Sequence, residues 1–450
     1  MHVAFVRRPL LLAFVSSLVL SAIATGRPAH ADDGPREAAP EPFAFADFSW
    51  LPGNYGSADK PLKAGPFTGE LRLDGAYHHS FANPKDHTIV GSSEVFRHGE
   101  FQLTQIGIGG DFSYRGVEAR LMTQFGMYSQ TTPRNDASPS RGQWRLEDAY
   151  RYFSEAYGGY RFDVWSGIHV QAGIFMSYVG LWSYYNFDNW TYQPSYVSSN
   201  TPWFFNGMRA QIFPSDKLKI EPWLVNGWQS YGTFNQAPGV GLKVEWRPTS
   251  SFAMVTNDYV GSDTLGTPGR VRFHTDDSVM VKLLERPGGT VSRVATSVTV
   301  DLGCEEGGGV GCDEQYFLGF MAYARAWFFG NHAAATIGGG AITNPGRYLV
   351  LIPPVNGATA ASGTPYFTAA PKDPYRAWDV QLTTDWMPKE FLTLRLEFNH
   401  RAANVPYFAG PGGVTPDGGN QGSPGSAVPG FTPDLVKSED RLTVALMLKY

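Results

Sequence analysis

The chain has 450 residues, of which only 17% are charged while 14% are aromatic, and it contains 51 glycines. Its formal net charge is -5, so it lacks the basic surface that binds nucleic acid, and we expect no nucleic-acid partner. Many aromatic and glycine residues with little charge are typical of a β-barrel rather than of a helical protein.

The first 31 residues have the pattern of a signal peptide. Arg7 and Arg8 precede an apolar run from Leu10 to Ala24, and Ala29-His30-Ala31 offers small residues to a signal peptidase. We expect cleavage before Asp32. The alternative, a membrane anchor, would need about 20 apolar residues.

Residues 32–65 are rich in Ala and Pro and show no regular alternation. We expect an N-terminal extension that lies in the periplasm or runs along a barrel mouth, followed by an outer-membrane β-barrel over residues 66–450.

Alternation of apolar and polar residues is the main structural signal, because successive side chains of a strand point to opposite faces. Leu392, Leu394 and Leu396, for example, alternate with polar neighbours such as Arg395. We predict about sixteen strands of an antiparallel transmembrane barrel, near 67–79, 100–113, 116–129, 146–157, 168–177, 203–213, 217–230, 239–247, 251–260, 272–285, 291–302, 315–328, 331–342, 375–387, 391–400 and 439–450.

The connections between these strands differ in length by parity. Short links such as Tyr114-Arg115 and Pro287-Gly288-Gly289 follow even strands, whereas polar stretches such as 178–202 and 401–438 follow odd strands. Short periplasmic turns and long extracellular loops are typical of outer-membrane barrels of Gram-negative bacteria. A soluble β-sandwich or propeller would explain the strands but not this asymmetry.

Several segments of the chain contain distinctive aromatic and glycine residues: Glu147-Asp148-Ala149-Tyr150, Gln171-Ala172-Gly173-Ile174-Phe175, Gly180-Leu181-Trp182, Pro202-Trp203-Phe204-Phe205-Asn206-Gly207 and Asn226-Gly227-Trp228-Gln229-Ser230. In these landmarks the chain resembles the OmpL-like outer-membrane β-barrel porin family. The resemblance is best over residues 65–260 and implies a porin-type barrel with solute passage through its lumen. The Gly/Pro-rich segment 409–430 has no counterpart among these landmarks.

Charged residues on the inward phase of the predicted strands are candidates for lining a water-filled pore. Their charges either select polar solutes through a transverse field or simply pair along the wall. The candidates are Glu70, Arg72, Asp74, Glu118, Arg120, Arg151, Glu155, Arg209, Lys219, Glu221, Lys243, Glu245, Arg293, Arg325, Asp379, Arg395, Glu397, Arg441 and Lys449.

The third long loop contains an aromatic, weakly charged segment that could narrow the channel. Two hypotheses remain open: the loop folds inward as a constriction, or it packs on its extracellular neighbours. The candidate constriction residues are Trp182, Tyr184, Tyr185, Asp188, Trp190 and Tyr192.

Cys304 and Cys312 are the two cysteines of the chain and stand in one short segment. Export leads to an oxidising compartment, so we expect a local disulfide rather than a metal site, which would need more ligands.

The expected function is passive diffusion of small hydrophilic solutes, with no enzymatic activity and no cofactor. His274-Thr275-Asp276-Asp277 offers a histidine and carboxylates but no nucleophile tied to them by a motif. A substrate-selective uptake channel and a non-conducting structural or adhesive barrel are the alternatives. The expected partners are outer-membrane lipid, small hydrophilic solutes and, through Tyr450, the barrel-assembly machinery; a homo-oligomer is compatible with the sequence.

Overall fold

The computed structural model describes residues 42–53, 62–348, 372–419 and 428–450, and the expected signal peptide lies outside them. Sixteen antiparallel strands follow one another around a closed barrel, and the last pairs with the first. They are β1 Phe67–Ser80, β2 Phe101–Tyr114, β3 Val117–Thr123, β4 Phe153–Phe162, β5 Ile168–Met176, β6 Phe204–Ser215, β7 Leu218–Val225, β8 Gly239–Thr249, β9 Phe252–Gly261, β10 Val271–Glu285, β11 Val291–Glu306, β12 Tyr316–Phe328, β13 Ala333–Thr343, β14 Arg376–Lys389, β15 Leu392–Ala403 and β16 Ser438–Lys449.

Smaller elements lie in the segments between or before these strands. Lys63–Ala64 pairs with the start of β1, and Phe408–Ala409 pairs with Leu435–Val436 inside the last long loop. The α-helices are α1 Tyr128–Thr131, α2 Leu146–Tyr150 and α3 Tyr196–Ser199, and the 3-10 helices are Thr132–Asn135, Ser138–Ser140, Asn186–Asp188 and Pro345–Arg347. Within the described ranges, none of the helices is long and apolar enough to cross a membrane.

The predicted sixteen-stranded barrel with links that alternate in length is confirmed. The first tight turn consists of Arg115 and Gly116, which both have positive φ, 50° and 82°. Positive φ at both central positions defines the turn that matches strand twist in a two-residue hairpin. The chain can therefore reverse here within two residues.

The fourth predicted strand, 146–157, is wrong over its first half. Residues Leu146–Tyr150 form α2, with Glu147 and Asp148 in its first turn, where carboxylates stabilise a helix N-terminus. Strand β4 begins only at Phe153. The third and seventh strands also end earlier than predicted, at Thr123 and Val225.

The outer face of the barrel is apolar and exposed, as a lipid-facing surface requires. Along β16, Leu442, Val444 and Leu446 are exposed while Thr443 and Ala445 are buried on the inner side. Exposed aromatic residues cluster toward the two ends of the strands, as in the girdles at membrane interfaces. They include Phe112, Tyr160, Trp246, Trp386 and Tyr450 toward the turns, and Phe273, Phe320, Trp378 and Phe398 toward the long loops.

The predicted disulfide between Cys304 and Cys312 is confirmed, with Cα atoms 5.0 Å apart. Because β11 extends to Glu306, Cys304 lies at the end of the strand rather than in the loop. The bond therefore ties the loop after β11 to the barrel wall.

Replacing both Cys304 and Cys312 with serine should leave the barrel assembled and loosen this loop, at a loop-closure cost of about 2 to 3 kcal/mol. Limited proteolysis should then cut residues 307–311 faster than in the wild type under non-reducing conditions. Two free thiols in unreduced wild-type protein from the envelope would contradict the bond.

Replacing the exposed Leu396 with arginine should impair membrane insertion by about 2 to 4 kcal/mol, because a charge would face the hydrocarbon near mid-strand. The measurement is unfolding from lipid vesicles in denaturant. Leu396→Phe, which keeps the face apolar, is the control. Equal stability of both variants would contradict the assigned lipid-facing side.

Candidate functional site

The third long loop, residues 177–203, folds into the barrel, and we call it loop L3. Its six candidate constriction residues have between 0% and 7% of their surface exposed. Trp182 packs against Tyr323 of β12, with ring centroids 4.7 Å apart, and Trp190 packs edge-on against Trp327 at 5.7 Å. The remaining four are Tyr184, Tyr185, Asp188 and Tyr192.

Ion pairs fix loop L3 to the wall where the barrel closes. Asp188 lies 3.0 Å from Arg72 of β1 and 3.1 Å from Lys449 of β16. The phenol of Tyr192 donates to Asp74 at 3.0 Å, and the amide of Asn186 donates to the other oxygen of Asp74 at 2.8 Å. Loop L3 is thus bound to β1 by both charge and hydrogen bonds.

The pKa of the Tyr192 phenol is raised well above its ordinary value, first by burial and then by the charge of Asp74. The phenol therefore keeps its proton at neutral pH and can remain the donor in this contact.

Strand β15 holds the backbone of loop L3. Arg395 donates to the carbonyls of Asn186 at 3.1 Å and Asn189 at 2.7 Å, and Glu397 accepts the backbone N–H groups of Tyr192 and Gln193. A loop carries backbone groups that strands have already paired elsewhere, so these side chains supply the partners that burial requires.

Further contacts extend this attachment to β12 and β14. Arg325 donates to the carbonyl of Trp190 at 3.1 Å, and Asp379 accepts the backbone N–H of Tyr196 at 2.8 Å. Arg325 and Arg395 share Asp385, which is 2.7 Å from each of them. Loop L3 is consequently packed against the inner side of β12, β14 and β15.

The wall formed by β1, β3 and β4 keeps more contact with water and is rich in carboxylates. Arg120, 11% exposed in its side chain, lies 2.9 Å from Glu155 and 3.0 Å from both Glu70 and Asp111. Glu118 is 20% exposed and 2.8 Å from His169. Three carboxylates thus surround one guanidinium.

The wall formed by β6, β7 and β8 has the opposite excess of charge. Lys219 lies 3.3 Å from Glu221 and 3.1 Å from Glu245, and Arg209 lies 3.7 Å from Glu221. Lys243 stands directly across from Glu221 in the strand register, and Arg247 also pairs with Glu245. The wall therefore contains four cationic side chains and two carboxylates.

Arg293 and Arg441 occupy the inner side of their strands but have different neighbours. Arg293 of β11 lies 3.1 Å from Asp47 of the N-terminal segment, and Arg441 of β16 pairs with Glu439 at 3.1 Å. Arg151 does not lie on a barrel strand, because it caps α2 and pairs with Asp148. Eighteen of the nineteen candidates therefore share the inner side, and Arg151 is the exception, since its local sequence forms a helix.

The N-terminal segment 42–53 enters the turn end of the lumen, which the sequence alone did not reveal. Phe43 donates its backbone N–H to Asp216, and the Trp50 indole donates to Ser250 at 3.1 Å; both acceptors lie in tight turns. Gly53 then reaches the carbonyl of Asp188 in loop L3 at 2.8 Å. The aromatic residues between Phe43 and Trp50 could have indicated that this segment is buried, because solvated tails contain few aromatic residues.

No group of three histidine, cysteine or acidic side chains within the described part of the chain is placed to hold a metal ion. The site presents two walls with opposite excess charge, aromatic surfaces and a loop that lies within the barrel.

Replacing Glu397 with alanine should loosen loop L3, because two of its buried backbone N–H groups would lose their acceptor. We expect faster protease cleavage within 186–193 in protein that still migrates as a folded barrel on unheated gels. Glu390→Ala, in a tight turn, is the control and should behave as wild type. Unchanged cleavage in both variants would show that Glu397 does not hold the loop.

The chain is similar to known β-barrel proteins. The model of the family described as "Putative beta-barrel porin-2, OmpL-like" matches residues 66–428. No curated protein matches the sequence.

Similar solved structures are the anion-selective porin from Comamonas acidovorans (9% identity, 85% of this chain and 99% of that chain covered, TM-score 0.48), the outer membrane channel DcaP of Acinetobacter baumannii (8%, 85% and 97%, 0.46) and outer-membrane expressed OmpT of Vibrio cholerae (9%, 86% and 99%, 0.47).

Proposed function

We propose that this chain, which belongs to the OmpL-like beta-barrel porin family and so to the outer membrane, lets small hydrophilic solutes diffuse passively through its lumen. The observation that carries the proposal is the pair of charged, partly exposed walls on β1–β4 and β6–β8. A purely structural barrel gains nothing from such charges, whereas a polar pathway needs them to replace lost hydration.

The two walls differ in the sign of their excess charge, which favours a transverse field over simple pairing. The wall around Arg120 combines carboxylates from β1 to β4, while the wall around Lys219 has four cations against two carboxylates. A field across a narrow lumen orders water and orients polar solutes that carry dipoles.

A substrate-selective uptake channel is the second candidate, and the extent of the attachment of loop L3 favours it. Contacts to β1, β12, β14, β15 and β16 fix the loop in one position. A fixed constriction discriminates between solutes better than a mobile one because its donors and acceptors are pre-organised.

The proposed partners are outer-membrane lipid, small hydrophilic solutes and the barrel-assembly machinery. Tyr450 completes the barrel seam through reciprocal backbone hydrogen bonds with Leu71 at 2.8 Å and remains 42% exposed. An exposed terminal aromatic at the membrane interface fits both an anchoring role and recognition during assembly. A homo-oligomer is compatible with the exposed outer face.

Deleting Tyr184 to Tyr192 should raise single-channel conductance in planar bilayers several-fold, because it removes the part of loop L3 that crosses the lumen. The strand ladders do not include these residues, so the barrel should still assemble. Folded protein that shows no conductance, whether the loop is intact or deleted, would defeat the channel proposal.

Arg120→Glu should shift ion preference toward cations, because it adds negative charge beside Glu70, Asp111 and Glu155. The measurement is the reversal potential in a potassium chloride gradient. Arg151→Glu makes the same charge change at the end of α2 and should have a much smaller effect. Equal shifts would indicate that the selective region lies at the outer mouth.

A further inference from the structure

A cavity of about 170 Å³ lies inside the barrel beneath loop L3. Loop L3 supplies most of its lining, including Trp182 and Ser198, while Gly53, Glu94 and Lys243 reach it from the N-terminal segment, the first long loop and β8. At roughly 30 Å³ per water molecule it holds about six waters, the space of a small organic solute.

Lys243 is the cationic residue of this lining, and it forms no ion pair with the carboxylates of its wall. Lys219 lies between Glu221 and Glu245, and Arg247 also pairs with Glu245. The Lys243 ammonium makes no hydrogen bond or ion pair with any residue of the described ranges. Glu221 and Glu245 attract it only from beyond ion-pair distance. An ammonium that lacks a direct partner in such a confined space favours an anionic ligand.

Glu94 limits how much negative charge the ligand can carry. Its carboxylate accepts the Ser93 backbone N–H at 3.1 Å, the Gln193 side-chain amide at 3.2 Å and the Ser92 hydroxyl at 3.4 Å, and it is 1% exposed. One buried carboxylate beside one lysine repels a second anionic group on a ligand, so a monoanion fits better than a dianion.

The rest of the lining suits a hydroxylated carbon skeleton. Ser198 and Thr201 place hydroxyl groups at the cavity, and Trp182 and Trp203 add aromatic surface. Hydroxyl side chains both donate and accept hydrogen bonds, whereas the rings pack against C–H groups.

We infer that this cavity binds a small hydroxylated monocarboxylate, with its carboxylate on the Lys243 ammonium and its hydroxyl groups toward Ser198, Thr201 and Glu94. The inference rests on the proposed function, since it gives the channel a preferred class of solute. Lysine at this position provides a single compact charge, which one carboxylate group can balance.

The test is calorimetric titration of the purified full chain in detergent with three four-carbon probes: L-threonate (monoanion), tartrate (dianion) and erythritol (neutral). We expect threonate to bind at least tenfold more tightly than the other two. Lys243→Gln should weaken threonate binding at least tenfold, while Lys243→Arg, which keeps the charge, should stay within threefold of wild type. Heat-modifiable migration on gels verifies that each variant is folded.

Several outcomes would overturn the inference: no threonate binding, tartrate or erythritol binding as tightly as threonate, or unchanged binding in folded Lys243→Gln. Conductance of the same preparation in potassium chloride separates the two proposals. A conducting protein that does not bind threonate refutes the cavity assignment alone, whereas a protein that binds threonate without conducting refutes the porin proposal alone.

Discussion

The structure depends on one constraint: where its strands cross the hydrocarbon, a barrel must place charged residues on its inner side. Hydrocarbon offers no partner for a charge or an unpaired backbone group, so the strands close on themselves and turn their apolar side chains outward. The inner side then collects arginines, lysines and carboxylates at a density that no soluble protein core accepts. The partners of these charged side chains determine whether the lumen is filled by protein or open to solvent.

The inward charges find their partners in different ways on the two sides of the barrel. Along β12–β16, loop L3 supplies backbone groups that bind Arg325, Arg395 and Glu397, and its Asp188 pairs with Lys449. Removing one member of such a buried network leaves its partners without hydrogen bonds. The network therefore stabilises the inward position of the loop. Along β1–β4 and β6–β8 the charged side chains pair mainly with one another.

The strands and their inward phase could be predicted because the alternation is imposed by the lipid and repeats at every strand. Arg151 shows where this reasoning ends. Its neighbours Glu147 and Asp148 favour a short helix through local interactions that alternation does not register. The inward fold of loop L3 could be proposed from its aromatic content but not decided, because its partners, such as Asp379 and Arg395, lie about 180 to 210 residues away in sequence. The entry of the N-terminal segment into the lumen was not predicted for the same reason. Its Asp47 pairs with Arg293, which is distant in sequence and comes close only in the folded barrel.

The incomplete pairing of the β6–β8 wall connects the fold to selectivity. Here two carboxylates face four cations, and the surplus ammonium of Lys243 lies at the cavity beneath loop L3 rather than at the lipid or at a turn. A surplus charge in a confined, partly desolvated space acts at short range and is weakly screened by salt, so it discriminates between solutes more strongly than the same charge at the channel mouth. Lys243, which forms no ion pair on this wall, is therefore the residue on which the proposed selectivity depends.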